Sequence, residues 1–184
     1  HRFSVDFSEE GEVRLEKVMS LYTSRDPAIS ECGLESRKSA KNAGGFDDLL
    51  ERHALAWRHL WRRFDIHFER KDDPDDHPTA MVLRLNIFHL LQTASPHTMC
   101  LDVGIPSRGW HGEAYRGHIF WDELFIFPFL NLRVPEITRS LLLYRYRRLG
   151  AARKAAAESG FRGALFPWQS GSNSREESQS LHLN

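Results

Sequence analysis

Most of the chemistry this chain can offer lies in residues 109–125, Gly-Trp-His-Gly-Glu-Ala-Tyr-Arg-Gly-His-Ile-Phe-Trp-Asp-Glu-Leu-Phe. Indoles, carboxylates, an arginine and two histidines stand there between glycines, and the stretch runs into the apolar series Phe125-Ile126-Phe127-Pro128-Phe129-Leu130. That mixture suits the floor of a pocket. Trp121 and Asp122 are neighbours, one a flat apolar face and the other a hydrogen-bond acceptor. A hexose presents the matching surfaces, C–H faces that stack on rings and hydroxyls that need acceptors. A carboxylate beside an indole in an apolar segment is costly unless something polar meets it. The same residues also read as a helix start, with Asp122 and Glu123 at the positive end of the macrodipole and Trp121 in the core.

The segment Gly112-Glu113-Ala114-Tyr115-Arg116-Gly117-His118-Ile119-Phe120-Trp121-Asp122-Glu123 resembles the signature of glycoside hydrolase family 65, the maltose, trehalose and kojibiose phosphorylases and their hydrolase relatives. Ile105-Pro106-Ser107-Arg108-Gly109 upstream, residues 135–147 downstream and residues 163–172 near the end resemble further family segments in the same order. The resemblance implies a mainly α fold, a partial (α/α)6 barrel with about half its helices, preceded by a short β segment. Residues 1–26 would end a β-sandwich, 27–45 form a linker helix and 46–184 open the catalytic barrel. The chain is then expected to be a piece of a longer enzyme.

The activity the resemblance implies is inverting cleavage of an α-glucosidic disaccharide such as trehalose or maltose, by phosphorolysis first and hydrolysis second. Inversion needs an acid for the leaving oxygen and a nucleophile on the opposite face. In a phosphorylase that nucleophile is inorganic phosphate, a co-substrate, and no other cofactor is expected. The family's general acid and phosphate-binding segments fall beyond Asn184, so no catalytic residue is assigned here and the piece alone is expected to be inactive. What remains is a glucose-holding wall. Trp121 and Asp122 are its first candidates, followed by Arg116, His118, Trp168 and Gln169. Glu123 resembles neither acid nor base and reads as a helix-start or supporting residue. The family commonly has threonine after the aspartate, so Glu123 leaves the disaccharide open.

Composition sets outer bounds. The 184 residues suit about one domain. With 25 basic and 25 acidic side chains the net charge is zero, which gives no sign of a nucleic-acid partner. Cys32 and Cys100 are too few for a disulfide framework and lack metal-ligand spacing, so no metal is expected and a cytoplasmic setting is the simpler one. No apolar run approaches the ~20 residues of a membrane span. The start of the sequence alternates where a signal peptide would be continuously apolar. The expected partner is the disaccharide, with a homo-oligomer open; a self-contained helical module that binds a sugar or protein without catalysis is the competing class.

The elements that must position the wall follow from periodicity. Phe3, Val5 and Phe7, then Val13, Leu15 and Val18, alternate around Gly11 as a hairpin would. Residues 28–43 predict a polar helix stopped by Gly44 and Gly45. Phe46, Leu49, Leu50, His53, Trp57, Leu60, Trp61 and Phe64 predict one buried stripe, with His53 and Trp57 structural. The acidic loop containing Asp72, Asp73, Asp75, Asp76 and His77 lacks the glycine and distal glutamate of a calcium loop and reads as a solvated turn. Thr79 is the expected cap of a helix apolar on nearly all sides, which predicts burial all round. Pro135 opens a helix whose inner side is Ile137, Leu141, Leu142, Tyr144 and Leu149 and which Gly150 ends. Residues 151–159 predict an alanine-rich helix. Arg145, Arg147, Arg148, Arg153 and Lys154 read as a solvated face, with a phosphate site the sharper alternative. Residues 161–172 form a second pocket-type loop, and the polar tail 173–184 is expected to be exposed or disordered.

Overall fold

The computed structural model describes residues 4, 11–67, 77–109, 115–171 and 175–178. Its elements are α1 (Cys32–Lys41), α2 (Phe46–Phe64), α3 (His77–Thr93), β1 (Ile119–Phe120), α4 (Glu123–Asn131), α5 (Pro135–Arg147), α6 (Leu149–Glu158) and β2 (Gln169–Ser170), with 3-10 turns at Pro96–Thr98 and Tyr115–Gly117. The fold is mainly helical, as expected of a partial helical barrel. The chain divides into two compact units, His1–Trp61 and Arg62–Asn184.

In the first unit, α1 starts where the Glu31 carboxylate accepts the free N–H groups of Gly33 and Leu34. The start of α2 is held by Glu16, which accepts from the Phe46 N–H at 3.0 Å, and by Arg14, which donates twice to Asp47 at 2.8 and 3.1 Å. The α2 stripe is fully buried only at its last residue, Phe64, where its period predicts burial throughout. Phe46 and Leu50 are exposed and His53 lies open, edge-on to Trp57 with ring centroids 6.3 Å apart. A helical period shows where a covering element would fit and cannot show that one is present. The alternation at Val13 and Leu15 likewise meets no ladder partner, and among the described residues none of 11–22 forms a strand. Phe3, Val5, Phe7 and the acidic residues 72, 73, 75 and 76 lie outside the described residues.

The second unit has a core of Phe64, Ile87, Leu91, Ile105, Ile119, Phe127, Leu130, Val134, Ile137, Leu141 and Tyr144. α5 begins at Pro135, where the missing N–H has no partner to lose, and it buries Ile137, Thr138, Leu141 and Tyr144. Leu142 faces solvent instead of the predicted interior. Gly150 does not end this helix. α5 stops at Arg147, and Gly150 lies inside α6, which ends at Glu158 before Gly160 in the left-handed region. Thr79 is inside α3, which begins at His77, so it does not cap that helix. Nor is α3 covered on every side: Ile87 and Leu91 are buried, while Met81, Val82 and Leu85 are 66%, 55% and 54% exposed.

A narrow ladder ties the loops together. β1 pairs antiparallel with β2, Ile119 opposite Ser170 and Phe120 opposite Gln169. Single bridges extend it at both edges, Pro106 to Ile119 and Ser170 to Glu176. Segments near residues 106, 119–120, 169–170 and 176 therefore meet within one short sheet. Among the described residues, no helix is long and apolar enough to cross a membrane.

Candidate functional site

The ladder delivers two loops to the start of α4. A cavity of about 220 Å³ opens there, with Asp122 and Glu123 on one side, the 105–109 loop on another and Asn86 and His89 of α3 on a third. Asp122 is the residue before α4 and makes no capping hydrogen bond to it, so its carboxylate is not spent on the helix end. Arg108 lines the same cavity, its guanidinium 5.9 Å from the Tyr115 ring centroid. Tyr115 holds φ +64, a conformation uncommon for a side-chain-bearing residue, and packs edge-on to Phe120 at 4.8 Å.

Trp121 is not among the cavity-lining residues. Its ring lies against Trp168 at 5.3 Å and Phe125 at 5.1 Å, and the Trp121 backbone N–H donates to the Trp168 carbonyl at 3.3 Å. At 38% exposed it forms an apolar shelf with Trp168, while Asp122 belongs to the cavity. The cause is local. Asp122 has helical dihedrals, φ −55 and ψ −22, and successive helical residues project about 100° apart.

His118 and Gln169 are brought together, but by each other and by the tail. The Gln169 amide meets His118 Nδ1 at 2.7 Å, and His118 Nε2 lies 2.9 Å from Glu177. Glu176 accepts from the Trp168 and Gln169 N–H groups at 2.6 and 3.2 Å, and the Glu177 N–H donates to the Gln169 carbonyl at 2.9 Å. Residues 175–177 are exposed, as expected of the tail, yet Glu176 and Glu177 are held by these bonds. Their signal was the carboxylate pair Glu176-Glu177, which composition alone reads as solvating charge. Two of the candidate wall residues are occupied by this internal clamp. The Arg116 side chain and residues 110–114 lie outside the described residues.

Glu123 is 4% exposed at the base of the cavity. It accepts from Arg145 Nε at 2.5 Å and from the Ile105 N–H at 3.4 Å, while Arg145 also donates to the Phe120 carbonyl at 3.2 Å. Burial pushes the Glu123 carboxyl above its usual range, and the guanidinium opposes that. The basic run is in part the solvated face its spacing suggests, with Arg147, Arg153 and Lys154 exposed, but Arg145 and Arg148 turn inward. Arg147 and Arg148 both donate to Asp102, and Arg148 lies 3.6 Å over the Tyr144 ring. The Arg148 hydrogen bond holds the Asp102 carboxyl below its ordinary value, against the effect of partial burial. Four of the five cations, Lys154 with Glu158 at 3.7 Å among them, already have matched anions, which weakens the phosphate alternative.

Chemically, the cavity offers an acceptor at Asp122 and a donor at Arg108, with Asn86 and His89 on its wall, beside an indole shelf. That arrangement can hold hydroxyls and stack a ring. Glu123 is committed to Arg145, so among the described residues lining the cavity Asp122 is the carboxylate left for a ligand. Among the described residues, no group of three histidine, cysteine, aspartate or glutamate side chains is placed to hold a metal ion.

Residues 1–60 match the Glycosyl hydrolase family 65 N-terminal domain and residues 84–184 the central catalytic domain of the same family. An uncharacterized glycosyl hydrolase of Mycobacterium tuberculosis is 48% identical over 184 residues, covering 100% of this chain and 14% of the relative. Trehalose 6-phosphate phosphorylase of Lactococcus lactis is 38% identical over 98% of this chain and 23% of its own length. Kojibiose hydrolase of Mucilaginibacter mallensis is 38% identical over 72% of this chain and 18% of its own. The chain spans between 14% and 23% of the length of these curated relatives.

Proposed function

This chain belongs to glycosyl hydrolase family 65, and from that premise we propose that the longer protein carrying it cleaves an α-linked glucose disaccharide by inverting phosphorolysis. In this reading the chain supplies the wall that holds one glucose unit. The observation that carries it is Asp122, uncommitted to the helix it precedes and facing the Arg108 loop across a cavity. Asp122 accepts sugar hydroxyls, Arg108 donates to them, and the Trp121–Trp168 shelf meets a C–H face beside the cavity. The acid that protonates the leaving oxygen and the groups that hold phosphate are supplied from outside these residues.

Hydrolysis is the second reading, favoured by the kojibiose hydrolase among the relatives. A non-catalytic, self-contained module is disfavoured by the surface. Met81, Val82 and Leu85 on α3 and Leu124 and Phe125 on α4 are more than half exposed, an apolar display that suits a piece packed against further chain.

The test uses the full-length protein with trehalose, maltose, kojibiose and trehalose 6-phosphate, with and without inorganic phosphate. Phosphorolysis predicts sugar release only with phosphate, yielding β-glucose 1-phosphate. Equal release without phosphate establishes the hydrolase, and no release from any of them defeats the catalytic reading. Asp122→Ala should weaken sugar binding; unchanged affinity removes Asp122 from the wall.

A further inference from the structure

We propose that the buried Glu123–Arg145 pair is the positioning element of the cavity, setting the separation between Asp122 and the Arg108 loop. The proposal rests on the sugar-binding reading above and adds two residues to it that touch no sugar themselves.

Three bonds make the case. Glu123 takes the Ile105 N–H at 3.4 Å, and Ile105 is the residue from which the 105–109 loop departs along the cavity. Arg145 donates to the Phe120 carbonyl at 3.2 Å, two residues before Asp122. Arg145 and Glu123 join those two attachments at 2.5 Å, with side chains 15% and 1% exposed. The loop on one side, the strand leading to Asp122 on the other and the first turn of α4 are thereby pinned to one point.

The division of labour at the head of α4 supports this. Aspartate before a helix ordinarily accepts an N–H of the first turn. Asp122 makes no such bond, and the helix start is fixed instead through Glu123 and α5. That leaves the Asp122 carboxylate for a ligand. Stability alone is a poor reason for such a pair, because apolar side chains of similar volume commonly serve as well in a core. A guanidinium fork, by contrast, fixes direction as well as distance.

Two variants of the full-length protein test the idea. Arg145→Lys keeps the charge but cannot reach Glu123 and the Phe120 carbonyl together. It should raise KM for the disaccharide by about tenfold or more, since misplacement on the order of 1 Å can cost up to about 100-fold. The thermal transition should move little, and amide exchange at Ile105 and across 119–122 should quicken together. The double variant Glu123→Gln/Arg145→Met leaves no buried charge. It should recover a wild-type transition while kcat/KM stays about 10- to 100-fold down. A pair serving stability alone would recover both. The proposal is overturned if the double variant regains full kcat/KM, or if Arg145→Lys leaves both KM and local exchange unchanged. Should the double variant fail to fold, the lysine variant decides. A wild-type protein that releases no sugar defeats the functional reading instead, and the exchange measurement then still decides whether the pair positions these segments.

Discussion

Gly104→Ala should damage this unit although glycine there needs no special backbone angle. A Cβ at residue 104 would stand 2.8 Å from Ile119 Cγ2, 2.9 Å from Cδ1 and 3.1 Å from Cγ1. All three belong to one stiff, β-branched side chain, and Ile119 is 7% exposed and held between Pro106 and Ser170 in the ladder. Neither partner can swing into solvent, so the strain falls in the range of an overpacked core, about 1–3 kcal/mol. Denaturant unfolding of the full-length protein should show the second unit's midpoint lowered at unchanged slope. The decisive control is the same change in an Ile119→Ala background. Ile119→Ala alone should lose about 2–5 kcal/mol, but with the three clashing carbons gone, Gly104→Ala should add almost nothing. Equal losses in both backgrounds would refute the steric argument, as would no loss in the parent.

Gly150→Ala should act in the opposite direction. It lies inside α6 with nothing within 4 Å of an added Cβ, so about 0.5–1 kcal/mol of stabilisation is expected, read by the same unfolding curves. Trp168→Ala should remove half of the indole shelf and raise the disaccharide KM several-fold, about what 1 kcal/mol of lost ring contact implies, with kcat largely kept; an unchanged KM would place the sugar elsewhere. The pH dependence should carry two opposed contributions. The Asp102 carboxyl sits below its unfolded value, so its contribution is present above about pH 4 and is lost as the pH falls through the lower, folded value. Glu123 sits above its unfolded value, so its contribution is present below about pH 4.5 and is lost as the pH rises through the raised value. Thermal transitions across this range should show Asp102→Asn flattening the acid loss and Glu123→Gln flattening the loss on the other side. Curves parallel to wild type would contradict both assignments.

Helix placement was legible where one residue type dominates the local choice. Pro135 fixes the start of α5, and the spacing from Phe46 to Phe64 fixes α2. Coverage was not legible, because an apolar side chain looks the same whether or not something packs on it; α3 reads as buried all round and is covered on one side. The ladder escaped because two-residue strands carry no alternation to detect. The Glu123–Arg145 pair escaped for another reason: its members are 22 positions apart, on helices whose packing no local pattern declares. Trp121 and Asp122 were chosen from their types, with adjacency in sequence suggesting one shared cavity, an expectation the structure does not meet. Helical dihedrals at Asp122 send the two side chains to different surfaces.

The β1–β2 pairing closes on itself the stretch of chain that holds α4, α5 and α6. Like a drawstring, it gathers the entrance and exit of that excursion at one place, so the separation between Trp121 and Trp168 is governed by four paired residues and not by the length of the helices between them. Insertions at the α5–α6 corner or after Gly160 should then leave the shelf undisturbed, whereas a proline at Phe120 or Gln169 would let its two halves drift apart with every helix still intact.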